Sequence, residues 1–303
     1  MSYYAPVLIA TLNRYEHFKR CVESLSTCKH AADTELYIAL DYPLNESHWD
    51  GYKRIEKYLD NIKGFKNVIV FRRNKNYGAR ENFMDARSRI FEKYDRIIIS
   101  EDDNIFSKDF LNFVNKGLDL FEDREDIFSI NGYNYPIAIP RTYPEEVYLW
   151  CGFSAWGYGI WKDKFVKVDW SYSGLNTFLG NRAEVKKLNN IAEHYAPALQ
   201  QIVKTGHITG DALICYHLFI SNMYSVFPVI SRVRNTGHDG SGVHCGYMES
   251  PIYRMQEIYS GNDSYNLPHD IKPDEGINKV LKKHFKISSK AKFKEKINSW
   301  LRI

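Results

Sequence analysis

The chain has 303 residues, 44% of them hydrophobic and 26% charged, enough to bury a large core in one domain or in one domain with an appendage. A net charge of +4 is too small to point to nucleic acid, and no run of about eighteen apolar residues offers a membrane-spanning helix. The opening Met1-Ser2-Tyr3-Tyr4-Ala5-Pro6 lacks the charged and apolar regions of a signal peptide, so a cytoplasmic location is expected. Five cysteines, at 21, 28, 151, 215 and 245 and without a CxxC pair, read as reduced thiols.

Strand and helix patterns alternate along the first half. Pro6 to Ala10 is an apolar run that predicts a buried strand, and Phe18, Cys21, Val22 and Leu25 mark a helix after it. Glu35 to Leu40 predicts the next strand, ending at Asp41 before the turn signal Tyr42-Pro43. Trp49, Tyr52, Ile55, Leu59 and Ile62 then give a helix closed by Gly64. Val68 to Phe71, Glu81 to Phe91 and Arg96 to Ser100 continue as strand, helix and strand. Phe110, Val114, Leu118 and Phe121 line a further helix, and Phe128 to Asn131 reads as another strand. Such alternation implies an α/β fold with a parallel sheet and right-handed crossovers.

The fourth strand empties straight into Glu101, Asp102 and Asp103. In open α/β sheets the carboxyl edge is where ligands bind, and clustered carboxylates there repel unless a cation or substrate hydroxyls hold them. A divalent-metal site for a phosphorylated substrate is one reading, and a solvated acidic turn is the other. Topology should gather Thr11 to Arg14, Asp41, the Asn74 to Arg80 loop and the acidic triplet on one rim, a composition suited to a nucleoside diphosphate. No GxGxxG follows the first strand and no Walker A motif occurs, which argues against dehydrogenase and P-loop readings.

Pro6-Val7-Leu8-Ile9-Ala10-Thr11-Leu12-Asn13-Arg14, Asp41, Asn76-Tyr77-Gly78-Ala79-Arg80-Glu81-Asn82 and Ser100-Glu101-Asp102-Asp103 together resemble a GT-A glycosyltransferase of family 2. The stretch Glu101 to Phe110 is similar to the acidic motif of the β-1,2-N-acetylglucosaminyltransferase I family. A weaker similarity continues through Trp150 to Trp161 to about residue 245. The resemblance implies a Rossmann-like domain over 1–245, with a nucleotide-sugar half (1–131), an acceptor half (132–245) and an extension (246–303). It implies that Thr11, Asn13, Arg14, Asp41, Arg80, Glu101 and Asp102 contact the nucleotide, Asp41 accepting from a base imide and so favouring uridine. It further implies that Asp103 ligates Mn2+ or Mg2+, with His238 or His244 as an added ligand. Asp211 would be the catalytic base of an inverting transfer, although the acidic residue that usually precedes that base is here Gly210.

Each assignment has a plainer alternative. Asp211 precedes an apolar run and could cap a helix. Trp156, Gly157 and Tyr158 suit either a sugar platform or the core. Lysines from Lys279 onward interleave with Leu281, Phe285 and Trp300, an amphipathic basic pattern that suits an anionic membrane carrying a lipid-linked oligosaccharide acceptor, or a helix packed on its own domain. The expected function is transfer from a nucleotide-sugar donor to a glycan in bacterial surface polysaccharide synthesis, by a peripheral enzyme at the inner membrane face. A sugar nucleotidyltransferase and a non-catalytic glycan-binding protein stay open. The former would want glycines in the first loop, and Ala10 to Arg14 has none.

Overall fold

The computed structural model describes residues 4–240, 252–253, 255–261 and 265–287. His244, Cys245 and residues 288–303 of the expected basic tail lie outside the described residues. In chain order the elements are β1 (Val7–Thr11), α1 (Tyr15–Ser26), β2 (Glu35–Leu40), α2 (Trp49–Leu59), β3 (Asn67–Arg72), α3 (Ala79–Phe91), β4 (Arg96–Glu101), β5 (Asn104–Phe106), α4 (Phe110–Leu120) and β6 (Ile127–Asn131). Then come β7 (Val147–Trp150), β8 (Tyr158–Trp161), α5 (Lys162–Phe165), α6 (Leu175–Gly180), α7 (Arg182–Ile191), α8 (Tyr195–Thr205), α9 (Gly210–Ile220), β9 (Tyr224–Pro228), β10 (Val233–Asn235) and α10 (Glu275–His284).

Eight strands form one sheet in the order β3-β2-β1-β4-β8-β6-β9-β7, and β5 and β10 form a separate ribbon. The α/β class expected from the sequence is the one adopted, a Rossmann-like, mostly parallel sheet flanked by helices and consistent with the GT-A arrangement. β1 to β4 are parallel, as their continuous apolar runs require for strands covered on both faces. Alternate residues enter two cores. Val7, Ile9 and Ile98 meet Phe18 and Phe110 on one face, while Leu8, Ile97 and Ile99 meet Ala86, Leu199 and Leu213 on the other.

The second half adds antiparallel strands to this mostly parallel sheet. β8 inserts between β4 and β6, antiparallel to both, so the two expected halves share one sheet. Gly159 makes this close packing possible, since a Cβ there would lie 2.5 Å from Val114 Cγ1 of α4. β8 is only four residues long and has no period to read.

The described part of the basic tail belongs to the fold. Ile277 and Leu281 of α10 are fully buried, and Phe285 stacks on Trp150 at 5.1 Å with ring planes 6° apart. Asp274 caps the helix by accepting from the Ile277 amide at 2.8 Å. Lys279, Lys282, Lys283 and Lys286 face solvent. The apolar side expected to enter a membrane is therefore spent on the protein's own core as far as Phe285. Leu281→Ala should cost about 2–5 kcal/mol of stability, as buried leucine truncations do, read as a lowered denaturant midpoint. An unchanged midpoint would return α10 to the role of a detachable tail. Among the described residues no helix is long and apolar enough to cross a membrane.

Candidate active site

β4 carries Ile97, Ile98 and Ile99 through the core and delivers Glu101, Asp102 and Asp103 to the carboxyl edge of the sheet. Neighbouring β1 ends in register, Ala10 beside Glu101, so the loop after Thr11 lies against the acids. Thr11 Oγ1 donates to Asp102 Oδ2 at 2.8 Å. Arg14 Nη2 donates to Asp102 Oδ1 and also lies 2.8 Å from Asp103 Oδ2. Both aspartates are buried, so this pairing offsets much of their desolvation.

The other wall comes from far along the chain. The ribbon pairs Asn104 with Asn235, and Asn235 Nδ2 donates to Asp103 Oδ1 at 2.7 Å and to Asn104 Oδ1 at 3.1 Å. Thr236 donates twice to the Asp103 carbonyl, from its amide at 2.9 Å and its hydroxyl at 2.8 Å. Gly237 follows, and a Cβ there would lie 2.0 Å from Asp103 Oδ2. His17 anchors the same loop, its Nε2 lying 2.8 Å from Asp239 Oδ2 and its Nδ1 3.3 Å from Thr236 Oγ1. His238 stands between the edge of Trp156 and the stacked ring of Tyr253, with centroids 5.4 and 4.7 Å away. Its Nε2 is buried without a hydrogen-bond partner.

Charge is unevenly balanced. Desolvation first, then Asp103, Asp211 and Asp102, hold the Glu101 carboxyl well above its ordinary range. Asp102 is raised too, by desolvation that Arg14 only partly offsets. Burial lowers the proton affinity of Arg14, but Asp102 and Asp103 outweigh it and the guanidinium stays firmly charged. Desolvation lowers the proton affinity of His238, which favours the neutral imidazole that a metal requires.

Among the described residues no three His, Cys, Asp or Glu side chains form a ready coordination shell. The donors present nonetheless suit one hard divalent cation. Asp103 offers carboxylate oxygen and the orphaned His238 Nε2 offers imidazole, leaving the remaining positions to phosphate oxygens and water. Overpacking at Gly237 tests this arrangement. Gly237→Ala should push Asp103 aside at about 1–3 kcal/mol, weakening Mn2+ binding roughly 10- to 100-fold in a calorimetric titration while the fold survives. Unaltered Mn2+ affinity would remove Asp103 from the site.

Asp211 occupies the first turn of α9, exposed to solvent and near enough to Glu101 to raise it. Surrounding protein still desolvates its carboxyl and pushes the pKa up to about 6, against a hydrogen bond from the Ala155 backbone. The helix N-cap is Thr209, so the capping alternative for Asp211 loses its position.

Other expected residues are placed differently. Asp41 is buried and fully engaged: Oδ1 accepts from the amides of Tyr42 at 2.9 Å and Tyr77 at 2.8 Å, and Oδ2 from the Gly78 amide at 2.9 Å and Asn76 Nδ2 at 3.4 Å. It builds the loop after β3 rather than presenting a vacant acceptor to a base. Arg80 is exposed on the first turn of α3 and paired with its neighbour Glu81. Asn13 is half-buried, and its carbonyl accepts from the Tyr15 amide at 3.0 Å. Tyr158 is 4% exposed within β8 and Gly157 is buried, so neither can offer a face to a sugar. Trp156 is half-buried beside His238 and keeps that possibility.

Asn235 and Thr236 are the site residues that sequence reasoning missed. Their local signal is the stretch Ser231 to Gly240, which also carries His238.

No family model matches the chain, and no curated protein matches it. Among solved structures it is similar to S. aureus TarS 1-349, with 14% identity and a TM-score of 0.36 over 59% of this chain and 54% of that one. The same TarS segment in complex with UDP-GlcNAc gives 15% identity and a TM-score of 0.31 over 48% of this chain and 38% of that one. The mannosyltransferase PcManGT from Pyrobaculum calidifontis, in complex with GDP-Man and Mn2+, gives 8% identity and a TM-score of 0.39 over 72% and 69%. The chain spans 25% to 54% of the length of the TarS chains it matches.

Proposed function

We propose that this chain is a metal-dependent inverting glycosyltransferase that moves a hexosyl or N-acetylhexosaminyl group from a nucleoside diphosphate donor to a glycan or lipid-linked acceptor in bacterial surface polysaccharide synthesis. The observation that carries the reading is the gathering of two chemistries around one acidic strand end. Asp103 and His238 offer oxygen and nitrogen donors on the sheet edge, and Asp211, a solvent-accessible carboxylate with raised basicity, is near enough to raise Glu101 of the same acidic run. The exposed lysines of α10 favour a place at the inner face of an anionic membrane.

Asp103 and His238 would hold Mn2+ or Mg2+. When bound, the cation offsets the negative charge that grows on the departing diphosphate. Arg14 and Thr11 hold Asp102 in place beside it. Asp211 takes the proton from the acceptor hydroxyl as that oxygen bonds to the anomeric carbon. The bond from that carbon to the β-phosphate oxygen breaks, and the nucleoside diphosphate leaves with the electron pair. One base suffices because attack comes from the face opposite the leaving group.

A panel of UDP- and GDP-sugars, assayed for released nucleoside diphosphate with Mn2+ or with EDTA, tests the proposal. Slow Mn2+-dependent hydrolysis of a UDP-sugar, accelerated by acceptor, is expected. Pyrophosphate release from a nucleoside triphosphate and a sugar phosphate would make the protein a nucleotidyltransferase, and binding without any turnover would make it a carrier.

A further inference from the structure

Arg14 is placed where the cation should be. One nitrogen, Nη2, reaches Asp102 Oδ1 and Asp103 Oδ2, the second at 2.8 Å. The other oxygen of Asp103 is already committed to Asn235, a side chain with no exposed surface that is itself held by Asn104. Asp103 can therefore give up only Oδ2, the oxygen held by Arg14. Asp102 has a second hold from Thr11 and does not depend on Arg14 for its position. Beside this oxygen lies Gly237, bare enough to leave room, and the next residue, His238, feels the charge of Asp103 and has an unpartnered Nε2. The Arg14 side chain is 20% exposed, so it has a path outward into the crevice.

We infer that Arg14 is a resident counter-ion that closes the cation site until ligand arrives, leaves Asp103 when a divalent cation binds, and then pairs with the donor's diphosphate. The inference rests on the function proposed above. A guanidinium and a divalent cation on the same carboxylate oxygen repel at close range in a partly desolvated site, which favours departure of Arg14 when the cation binds. A displaced Arg14 needs a new anion, and a diphosphate suits its fork. Cation and nucleotide should then strengthen each other's binding by equal factors, with Arg14 carrying the coupling.

Mn2+ alone is the probe, its free concentration followed by electron paramagnetic resonance, with wild type and Arg14→Gln, each with and without UDP. Wild type should bind Mn2+ weakly alone and more tightly with UDP. Arg14→Gln should bind Mn2+ alone roughly tenfold more tightly than wild type, and UDP should strengthen that binding by a smaller factor than in wild type. Equal or weaker Mn2+ binding by Arg14→Gln without UDP would overturn the inference. If Arg14→Gln does not fold, Arg14→Lys serves the same comparison, since a single-point ammonium holds two carboxylates less well. Its Mn2+ affinity without UDP should exceed that of wild type by a smaller factor, and no gain would overturn the inference. Wild type that binds no Mn2+ even with UDP removes the proposed metal dependence. In that case a gain of Mn2+ binding in Arg14→Gln still upholds Arg14 as the competitor, and no gain defeats both.

Discussion

Asp211→Asn should reduce sugar transfer by roughly 10² or more while UDP affinity stays unchanged, the loss typical of a missing general base. The position explains the size of the effect. Asp211 lies in the first turn of α9 behind the Thr209 N-cap, is open to solvent, and is one of the carboxylates that raise Glu101 at the acidic strand end. With its pKa pushed up to about 6 by desolvation, it is ionised above that pH and protonated below it. The rate at subsaturating substrate should therefore fall about tenfold per pH unit below about 6 and level off above it, and the variant should lose this limb.

The stability sign is opposite. A carboxyl whose folded pKa exceeds its unfolded value binds more protons in the folded state, so ionising it costs stability as pH rises through that window. At pH 7 the variant should melt at the same temperature as wild type or slightly higher. A kinetic profile flat from pH 5 to 7, or normal turnover by the variant, would take Asp211 out of the mechanism.

The second large effect concerns Asp103. Its carbonyl is held by Thr236 through bonds that a side-chain change leaves intact, whereas its carboxylate meets Asn235 and Arg14. Asp103→Ala should thus keep the ribbon between β5 and β10 but lose about 1–3 kcal/mol by leaving Asn235 under-satisfied. Partners outside a metal's immediate shell are worth about 10–100-fold in affinity, so removal of a direct ligand should cost roughly hundredfold or more. Calorimetric UDP titrations in Mn2+ and in EDTA read this directly. Wild-type affinity for UDP that is the same in both would sink the metal site, whatever the variant does.

Residues that repeat over a long enough element were legible from the sequence alone. The apolar runs of β1, β2 and β4 demand burial on both faces, and the spacing of Phe110, Val114 and Leu118 demands one buried helical face, so the parallel half of the sheet and its acidic edge followed from local chemistry. Asp103 and Arg14 were picked out for the same reason, because strand ends in such a sheet must converge.

Only the tertiary structure decided the rest. β10 is three residues long and carries no period, yet its register against β5 sets Asn235 on Asp103 across 132 positions of sequence. Asp41 before Tyr42-Pro43 suits a turn as well as a base, and Tyr158 suits the core as well as a platform; the backbone of residues 76–78 closing on Asp41 and the insertion of β8 beside β4 placed each in the fold. The lysines and apolar residues from Ile277 to Phe285 suit a membrane face and a packed helix alike, because amphipathicity is the same signal whichever apolar surface covers it. Stacking of Phe285 on Trp150 made that surface the protein's own core.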